Sequence, residues 1–335
     1  MPKISIRTAV IYLTERCPLA CGYCYFRDKK QQDIPWQVLT DFLVFVKREW
    51  GSPRSFMISG GEPLLCWDKV TRLVVSLRRG FPRAGIHMQT NGLLLDRTKT
   101  AWLRGKEVSL EFGIDGDFGT TARWRSPMDL KMFNRLVRHI RAAIAAGISC
   151  GCTMTVHPAE VALMAGNLRF LQEVGLSCVD ITPAAFMPWN KAHQAAFKKG
   201  YKDIAADPAL RRMLFTREDH ELMPAGLVDI SLHPPGEVLL GDAYLCLPEK
   251  VRKKFSLWDP GTGALDPAMA AYYWRQYALL WKRPSWRTYR DHVSFGFEMV
   301  NSMMGRNYLN VRQIVPLMRF MTRMHLSYGH EKTSH

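Results

Sequence analysis

The segment AVIYLTERCPLACGYC, residues 9–24, joins an apolar run to three cysteines. The run AVIYLT has the composition of a buried strand, and Cys17, Cys21 and Cys24 follow it at intervals of four and three residues. A structural zinc site usually has four ligands, often as two CxxC pairs, and a disulfide framework needs an even number of cysteines and an oxidising compartment. Three closely spaced thiols instead predict a metal cluster with one corner left open.

The composition is typical of a soluble globular protein. The chain has 335 residues, 47% of them apolar and 23% charged, which is enough for one large domain or two ordinary ones. It contains no apolar run long enough to span a bilayer, and its N-terminus, MPKISIRTAV, lacks the features of a signal peptide. We therefore expect a cytoplasmic protein, in which the thiols stay reduced and able to bind metal.

A surplus of positive charge indicates an anionic partner. The formal net charge is +16, from 46 Lys and Arg against 30 Asp and Glu, and residues 250–335 hold 14 of the basic and 5 of the acidic residues. An acidic peptide, a nucleic acid, a nucleotide or a membrane surface would each suit this charge. A solvated basic surface accounts for it equally well, and no RNA-binding signature accompanies it.

Short apolar runs alternate with helix-like stretches up to about residue 184. The strand-like runs are TAVIYLT (8–14), SFMIS (55–59), GIHMQT (85–90), VSLEFGI (108–114), CGCTMTV (150–156) and CVDITPA (178–184). Strands that alternate with helices predict an α/β fold with a parallel sheet, open or curled into a barrel.

Beyond residue 184 the alternation stops. The segment LVDISLHPPGEVLLGDAYLC, residues 227–246, predicts a pair of strands around a turn, and from Ala270 the chain has a helical pattern rich in Trp, Tyr, Met and Arg. We predict a catalytic domain over residues 1–184 and a mostly helical C-terminal extension over residues 185–335.

The chemically distinctive residues follow the ends of the first three predicted strands. The cysteines follow the first strand, GGEP (60–63) follows the second, and TNG (90–92) ends the third. In parallel α/β folds the chemistry gathers at the carboxyl ends of the strands, so these segments are expected to contribute to one site.

The segment CPLACGYCYF resembles the CxxxCxxC cluster loop of radical S-adenosylmethionine (SAM) enzymes. More narrowly, it is similar to the CNLxCxYCY form of the branch that contains sulfatase maturases and peptide-modifying enzymes. The resemblance implies that Cys17, Cys21 and Cys24 hold three irons of one [4Fe–4S] cluster, whose fourth iron is chelated by SAM. It also implies a partial (β/α)6 barrel, a 5′-deoxyadenosyl radical that abstracts a substrate hydrogen atom, and a flavodoxin or ferredoxin as electron donor.

Further motifs occur in the order expected of this family. SGGEP resembles the glycine-rich element that meets the SAM amino group, where small residues allow a close backbone approach and a carboxylate can accept from an ammonium. The resemblance assigns cofactor contacts to a set of residues along the chain: Tyr23, Gly60, Gly61, Glu62, Pro63, Thr90, Asn91 and Thr182.

The segment FGIDGDFGTTARWR, residues 112–125, resembles the SxDGPxxxHDxxR segment of the same branch. Asp115 and Arg125 keep the pattern, and the resemblance implies that Arg125 grips the SAM carboxylate as a bidentate fork, with Arg123 as the alternative. Gly113 stands in place of the usual serine. Asp117, Thr121 and Ala122 also depart from the pattern, which affects the expected ribose contacts.

The C-terminal extension does not match the auxiliary domain of this branch. Many members hold auxiliary clusters there with seven cysteines, whereas this chain has only Cys246 beyond residue 184. We therefore expect a degenerate or absent auxiliary domain. Cys246 is a candidate catalytic residue that quenches a substrate radical by donating a hydrogen atom, and the remaining cysteines are expected to be buried hydrophobes, although Cys150 and Cys152 could together bind metal.

The sequence favours a radical SAM enzyme that modifies a peptide or protein side chain, as a maturase or epimerase. Because the cluster loop begins at Cys17, a leader-binding domain would have to be a separate protein. The alternatives are an enzyme for a small metabolite such as a nucleoside or sugar, an RNA-modifying enzyme, and a non-catalytic iron–sulfur scaffold. GGEP and Arg125 argue against the scaffold, because a metal holder needs no SAM site.

Overall fold

The fold is taken from a computed structural model of the chain. It describes residues 5–24, 26, 30–185, 187–214, 227–240, 249–259 and 262–282, together with residues 313, 315–318, 320, 321 and 324. The chain divides into two compact units. The first comprises Met1–Cys17, Phe26–Gln89 and Leu222–Met303, and the second comprises Pro18–Tyr25, Thr90–Glu221 and Met304–His335. The boundary near residue 184 between a core and an extension stays a prediction.

Strands and helices alternate through the first part of the chain, as predicted. The strands are Ser5–Tyr12 (β1), Ser55–Ser59 (β2), Gly85–Thr90 (β3), Val108–Gly113 (β4), Cys150–Val156 (β5), Val179–Pro183 (β6), Leu227–His233 (β7), Glu237–Leu240 (β8), Trp258–Asp259 (β9) and Ala264–Leu265 (β10). The helices are Trp36–Trp50 (α1), Trp67–Gly80 (α2), Arg97–Arg104 (α3), Phe118–Trp124 (α4), Leu130–Ala145 (α5), Met164–Val174 (α6), Lys191–Ala206 (α7), Pro208–Arg211 (α8), Glu249–Lys254 (α9) and Pro267–Lys282 (α10). The predicted α/β class with a parallel sheet is confirmed.

In the first unit, β1 lies between two parallel neighbours. It pairs with β2 on one side and with β7 on the other, and β2 pairs in parallel with β3. Strand β8 returns antiparallel to β7, which confirms the predicted strand pair as far as the described residues extend. Ala9 and Ile11 of β1 are fully buried. The predicted extension therefore contributes a strand beside β1; the sequence predicted the strand but not its pairing with β1.

In the second unit, β4, β5 and β6 form parallel pairs. Leu110 is in register with Cys150, and Cys152 is in register with Val179. Helices α3, α4 and α5 begin after aspartates, Asp96, Asp117 and Asp129, whose side chains accept the backbone N–H three residues on. Such N-caps fix where each of these helices starts. Among the described residues, no helix is long and apolar enough to cross a membrane.

Candidate functional site

The predicted site residues lie on strands or follow them along the chain: Thr90 and Thr182 lie on β3 and β6, and Arg125 ends helix α4, which follows β4. They are divided between the two units. The first unit holds Cys17, Gly60, Gly61, Glu62 and Pro63. The second unit holds Cys21, Tyr23, Cys24, Thr90, Asn91, Asp115, Arg125 and Thr182.

In the first unit, the two glycines after β2 lie directly against the backbone that leads to Cys17. A Cβ on Gly60, whose φ is +138°, would come within 2.5 Å of the carbonyl oxygen of Thr14, and one on Gly61 within 2.2 Å of that of Arg16. The Gly61 N–H donates to the Thr14 carbonyl at 2.7 Å. The glycines are thus required for the contact of this turn with the segment before Cys17, a reason that the sequence pattern alone did not identify.

Glu62 organises the turn that follows the glycines. Its side chain is fully buried, and Oε1 accepts the backbone N–H of Leu64 at 2.9 Å. The Glu62 N–H donates to the Arg16 carbonyl at 2.8 Å. Pro63 begins the short 3-10 helix Pro63–Cys66, where a proline costs no hydrogen bond. Glu62 is therefore placed by local contacts beside the glycines.

An ion pair closes the base of the cysteine loop, and the sequence reasoning missed it. Arg16 Nε and Nη2 bind the two carboxylate oxygens of Asp33 at 2.9 and 2.8 Å, and Thr14 Oγ1 donates to Asp33 Oδ1 at 2.6 Å. Burial alone would raise the pKa of Asp33, but the bonds from Arg16 and Thr14 lower it to about 2. Arg16 also donates to Cys66 Sγ at 3.3 Å. The signal available was an arginine directly before Cys17.

In the second unit, Tyr23 of the cysteine loop is bound to a buried ion pair. Its hydroxyl donates to Asp115 Oδ2. Arg125 Nε and Nη2 donate to the two oxygens of Asp115 at 2.9 and 2.8 Å, and the Thr155 N–H adds a bond of 3.0 Å to Oδ1. Burial raises the pKa of Tyr23 well above its usual value, so the phenol stays protonated and can donate. The structure brings these three sequence-predicted residues together.

The fork of Arg125 faces a protein carboxylate. The sequence prediction directed it to the SAM carboxylate, whereas the structure pairs Nε and Nη2 with Asp115. A Cβ on Gly113 would come within 2.4 Å of Arg125 Nη1, so glycine in place of the usual serine leaves room for the guanidinium. The alternative, Arg123, binds Glu160 Oε1 at 2.7 Å. Arg125 therefore braces Asp115, and its predicted contact with SAM stays a prediction.

Backbone bonds hold the middle of the cysteine loop. The Gly22 N–H donates to the Trp124 carbonyl at 2.8 Å, and the Ala20 N–H donates to the Ser126 carbonyl. The Trp124 ring stacks on His157 with ring centres 3.5 Å apart. A Cβ on Gly22 would lie 3.3 Å from the edge of the Trp124 ring. Trp124 was not predicted as a functional residue, and nothing in the motif pattern singles it out.

The polar residues after β3 and on β6 have more local roles. Thr90 Oγ1 accepts the Gly92 N–H and Asn91 Oδ1 accepts the Leu93 N–H, both at 3.0 Å. These bonds shape the turn after β3. Thr182 lies on β6 and is half-buried. Their predicted contacts with SAM stay predictions.

The three cysteines of the loop have the chemistry of ligands for a [4Fe–4S] cluster. Cys17, Cys21 and Cys24 are all partly exposed, and no disulfide joins the cysteines that the structure describes. Within the described ranges, no three His, Cys, Asp or Glu side chains could hold one ion. A cluster requires each cysteine to bind a different iron, so the thiols need not converge on one point.

The remaining cysteines fall into three groups. Cys66 and Cys152 are buried, and Cys178, predicted to be buried, is partly exposed. Burial raises the pKa of the Cys150 thiol to about 12, which makes it a poor nucleophile. Cys246 lies outside the described residues, so its predicted role as a hydrogen-atom donor stays a prediction.

Comparison with known proteins identifies the domain. Residues 11–162 match the Radical SAM superfamily. The chain contains a radical SAM domain. It is also 23% identical over 109 residues to an uncharacterized protein of Methanocaldococcus jannaschii, a match that spans 32% of this chain and 38% of that protein.

Solved structures share the fold of this chain. One is anSMEcpe with bound S-adenosylmethionine and the Cp18Cys peptide, with a TM-score of 0.64, 16% identity and coverage of 85% of this chain and 82% of that chain. Another is SuiB of Streptococcus suis bound to the precursor peptide SuiA, with a TM-score of 0.58, 14% identity and coverage of 73% and 61%. The radical SAM family uses a [4Fe–4S] cluster and SAM, and these are the cofactors of the domain.

Proposed function

We propose that this protein modifies a peptide or protein side chain by hydrogen-atom abstraction. The observation that carries the proposal is the CxxxCxYC loop, with its three partly exposed thiols and its Tyr23 hydroxyl bound to the buried Asp115 carboxylate. The likeness of the fold to anSMEcpe and SuiB, each solved with a peptide, supports a peptide substrate. The net charge of +16 favours an acidic one.

The chain's own residues prepare the site for the two cofactors. When bound, the cluster and SAM supply the 5′-deoxyadenosyl radical. Cys17, Cys21 and Cys24 would hold the cluster. Backbone groups near Gly60 and Gly61, together with Glu62, would hold SAM by its amino group, and the residues Thr90, Asn91 and Thr182 would line its nucleoside part. A flavodoxin or ferredoxin would supply the electron in the cytoplasm.

The radical step is tested on protein reconstituted without oxygen. We expect about four iron and four sulfide per chain, with 5′-deoxyadenosine formed on addition of reductant and SAM. Changing Cys17, Cys21 and Cys24 to alanine should abolish both. Cys178→Ala is the matched control, a partly exposed cysteine away from the loop, and should retain both. A reconstituted cluster that does not cleave SAM would overturn the proposal and favour the scaffold.

The substrate class is tested by deuterium transfer. Uniformly deuterated acidic peptides, including any short precursor encoded beside the gene, are compared with deuterated nucleosides and sugars. Deuterium in 5′-deoxyadenosine from a peptide supports the proposal. Deuterium from a nucleoside or sugar alone would favour the small-metabolite alternative, which the lack of further cysteines besides Cys246 beyond residue 184 also suggests.

A further inference from the structure

The C-terminal extension is joined to strand β1 by a buried ion pair. Strand β7 runs parallel to β1, and Arg7 Nε and Nη2 of β1 bind the two carboxylate oxygens of Asp229 on β7 at 3.1 and 2.7 Å. Both side chains are almost fully buried. This pair lies ten residues before Cys17 along the chain, so it serves as a reference for a second pair nearer the cysteines.

A second buried arginine lies between two carboxylates close to the cysteine loop. Arg252 of α9 is 5% exposed. Its Nη2 lies 3.7 Å from Glu15 Oε1, and its Nε lies 3.6 Å from Glu237 Oε2. Nη2 also donates to the Pro234 carbonyl at 3.0 Å, which fixes the guanidinium in place. Three charges, two negative and one positive, are therefore enclosed between the extension and the end of β1.

Glu15 connects this buried set to the cysteine loop. It is 1% exposed and precedes Cys17 by two residues. Its Oε2 accepts the Lys30 N–H at 2.7 Å, and its own N–H donates to the Gln32 carbonyl at 2.8 Å. Glu15 thus joins the chain entering the loop to the chain leaving it. A change in the charge of a group that faces the Glu15 carboxylate therefore affects the chain segment that leads into Cys17.

We propose that Arg252 is a positioning residue for the iron–sulfur cluster: it holds the Glu15 carboxylate at the base of the cysteine loop, and its charge raises the cluster's reduction potential. The potential of a [4Fe–4S] cluster depends on the net charge around it and on its exposure to water. Reduction adds a negative charge, so a buried cation favours it and an uncompensated carboxylate opposes it. Other charged groups face the set as well: Lys30 and Lys253 pair with Glu249 at its edge. The inference is independent of the substrate class.

The test measures the midpoint potential of the reconstituted cluster by an EPR-monitored titration. For Arg252→Met we expect the equilibrium constant for reduction to fall about tenfold, which corresponds to about 59 mV for one electron. Iron and sulfide per chain should stay as in the wild type. Arg252→Lys should restore most of the potential, because it restores the charge.

The matched control is Arg7→Met. It removes the other buried arginine that joins β1 to the extension, so its cost in stability is comparable, and we expect no shift in potential. An unchanged potential in Arg252→Met, or equal shifts in both variants, would overturn the proposal.

A second comparison applies if Arg252→Met does not accumulate as folded protein. Glu15→Gln keeps an oxygen for the Lys30 N–H and removes a negative charge, so its potential should rise above that of the wild type. The double variant Glu15→Gln, Arg252→Met encloses less uncompensated charge than Arg252→Met, because only the Glu237 carboxylate is left without the arginine. Its potential should be lower than that of Glu15→Gln alone, because the Arg252 charge is missing. Equal potentials in the single and double variants would contradict a role for the Arg252 charge.

Discussion

The site residues of the first unit and those of the second are held in place by different forces. In the first unit, Gly60 and Gly61 lie against the backbone of Thr14 and Arg16 at distances that admit no Cβ. In the second unit, Tyr23 is bound to the buried Asp115–Arg125 pair. One arrangement depends on the absence of side chains and the other on the pairing of charges, so mutations should affect them in different ways.

The largest expected effect is on the charge pair. Asp115→Ala would leave the guanidinium of Arg125, which is 8% exposed, without its carboxylate. Breaking a buried pair from one side costs about 3–5 kcal/mol, so the free energy of unfolding measured in denaturant should fall by about that amount. Tyr23 would also lose its acceptor, and reconstitution of the cluster should become less complete.

The matched control for Asp115→Ala is Asp96→Ala. Asp96 is an exposed aspartate of the same unit that caps helix α3. Loss of an N-cap costs about 1 kcal/mol. If Asp115→Ala were no more destabilising than Asp96→Ala, the ion pair would not be what holds this part of the site.

A smaller effect is expected where a glycine meets a neighbour. A Cβ on Gly61 would come within 2.2 Å of a backbone oxygen, whereas one on Gly113 would come within 2.4 Å of the end of the Arg125 side chain. Because backbone moves less easily than a side chain, Gly61→Ala should cost about 3 kcal/mol and Gly113→Ala about 1 kcal/mol. Thermal unfolding of both variants measures the difference.

Gly166→Ala is the control for both glycine variants. It lies in helix α6, where a Cβ would have no atom of the described residues outside its own helix within 4 Å, so alanine should raise stability by up to about 1 kcal/mol. Equal losses of stability in Gly61→Ala and Gly113→Ala would show that a backbone neighbour and a side-chain neighbour resist an added Cβ to the same extent.

The same contrast explains which features could be predicted from the sequence. Apolar alternation located β2, β3 and β5 at their observed bounds, because the pattern of apolar side chains within a strand indicates that the strand is buried. The motifs likewise marked the glycines and Asp115. The sequence did not show that β7 pairs with β1, because pairing between distant segments leaves no local pattern.

Side-chain partners were the least predictable feature of the site. The motif marked Arg125, but it did not show that its fork binds Asp115, ten residues away. Arg16 and Asp33 are separated by the whole cysteine loop, and Glu15 and Arg252 by most of the chain. A single charged residue does not indicate which of many opposite charges the fold will bring to it.

The smallest expected effect concerns the pair at the base of the cysteine loop. Asp33 has its pKa lowered to about 2 by Arg16 and Thr14 against the effect of burial. A carboxylate with a lowered pKa stabilises the fold above its unfolded pKa, and this stability is lost as the pH falls through the folded pKa. The contribution of Asp33 should therefore be present at pH 6, decline below about pH 4 and be lost completely only below about pH 2. Because the pair is partly exposed, its coupling energy should be only about 1 kcal/mol.

A double-mutant cycle of Arg16→Met and Asp33→Asn measures this coupling energy by denaturant unfolding at pH 6 and at pH 2. A coupling that persisted unchanged at pH 2 would mean that Arg16 and Asp33 interact through packing rather than charge.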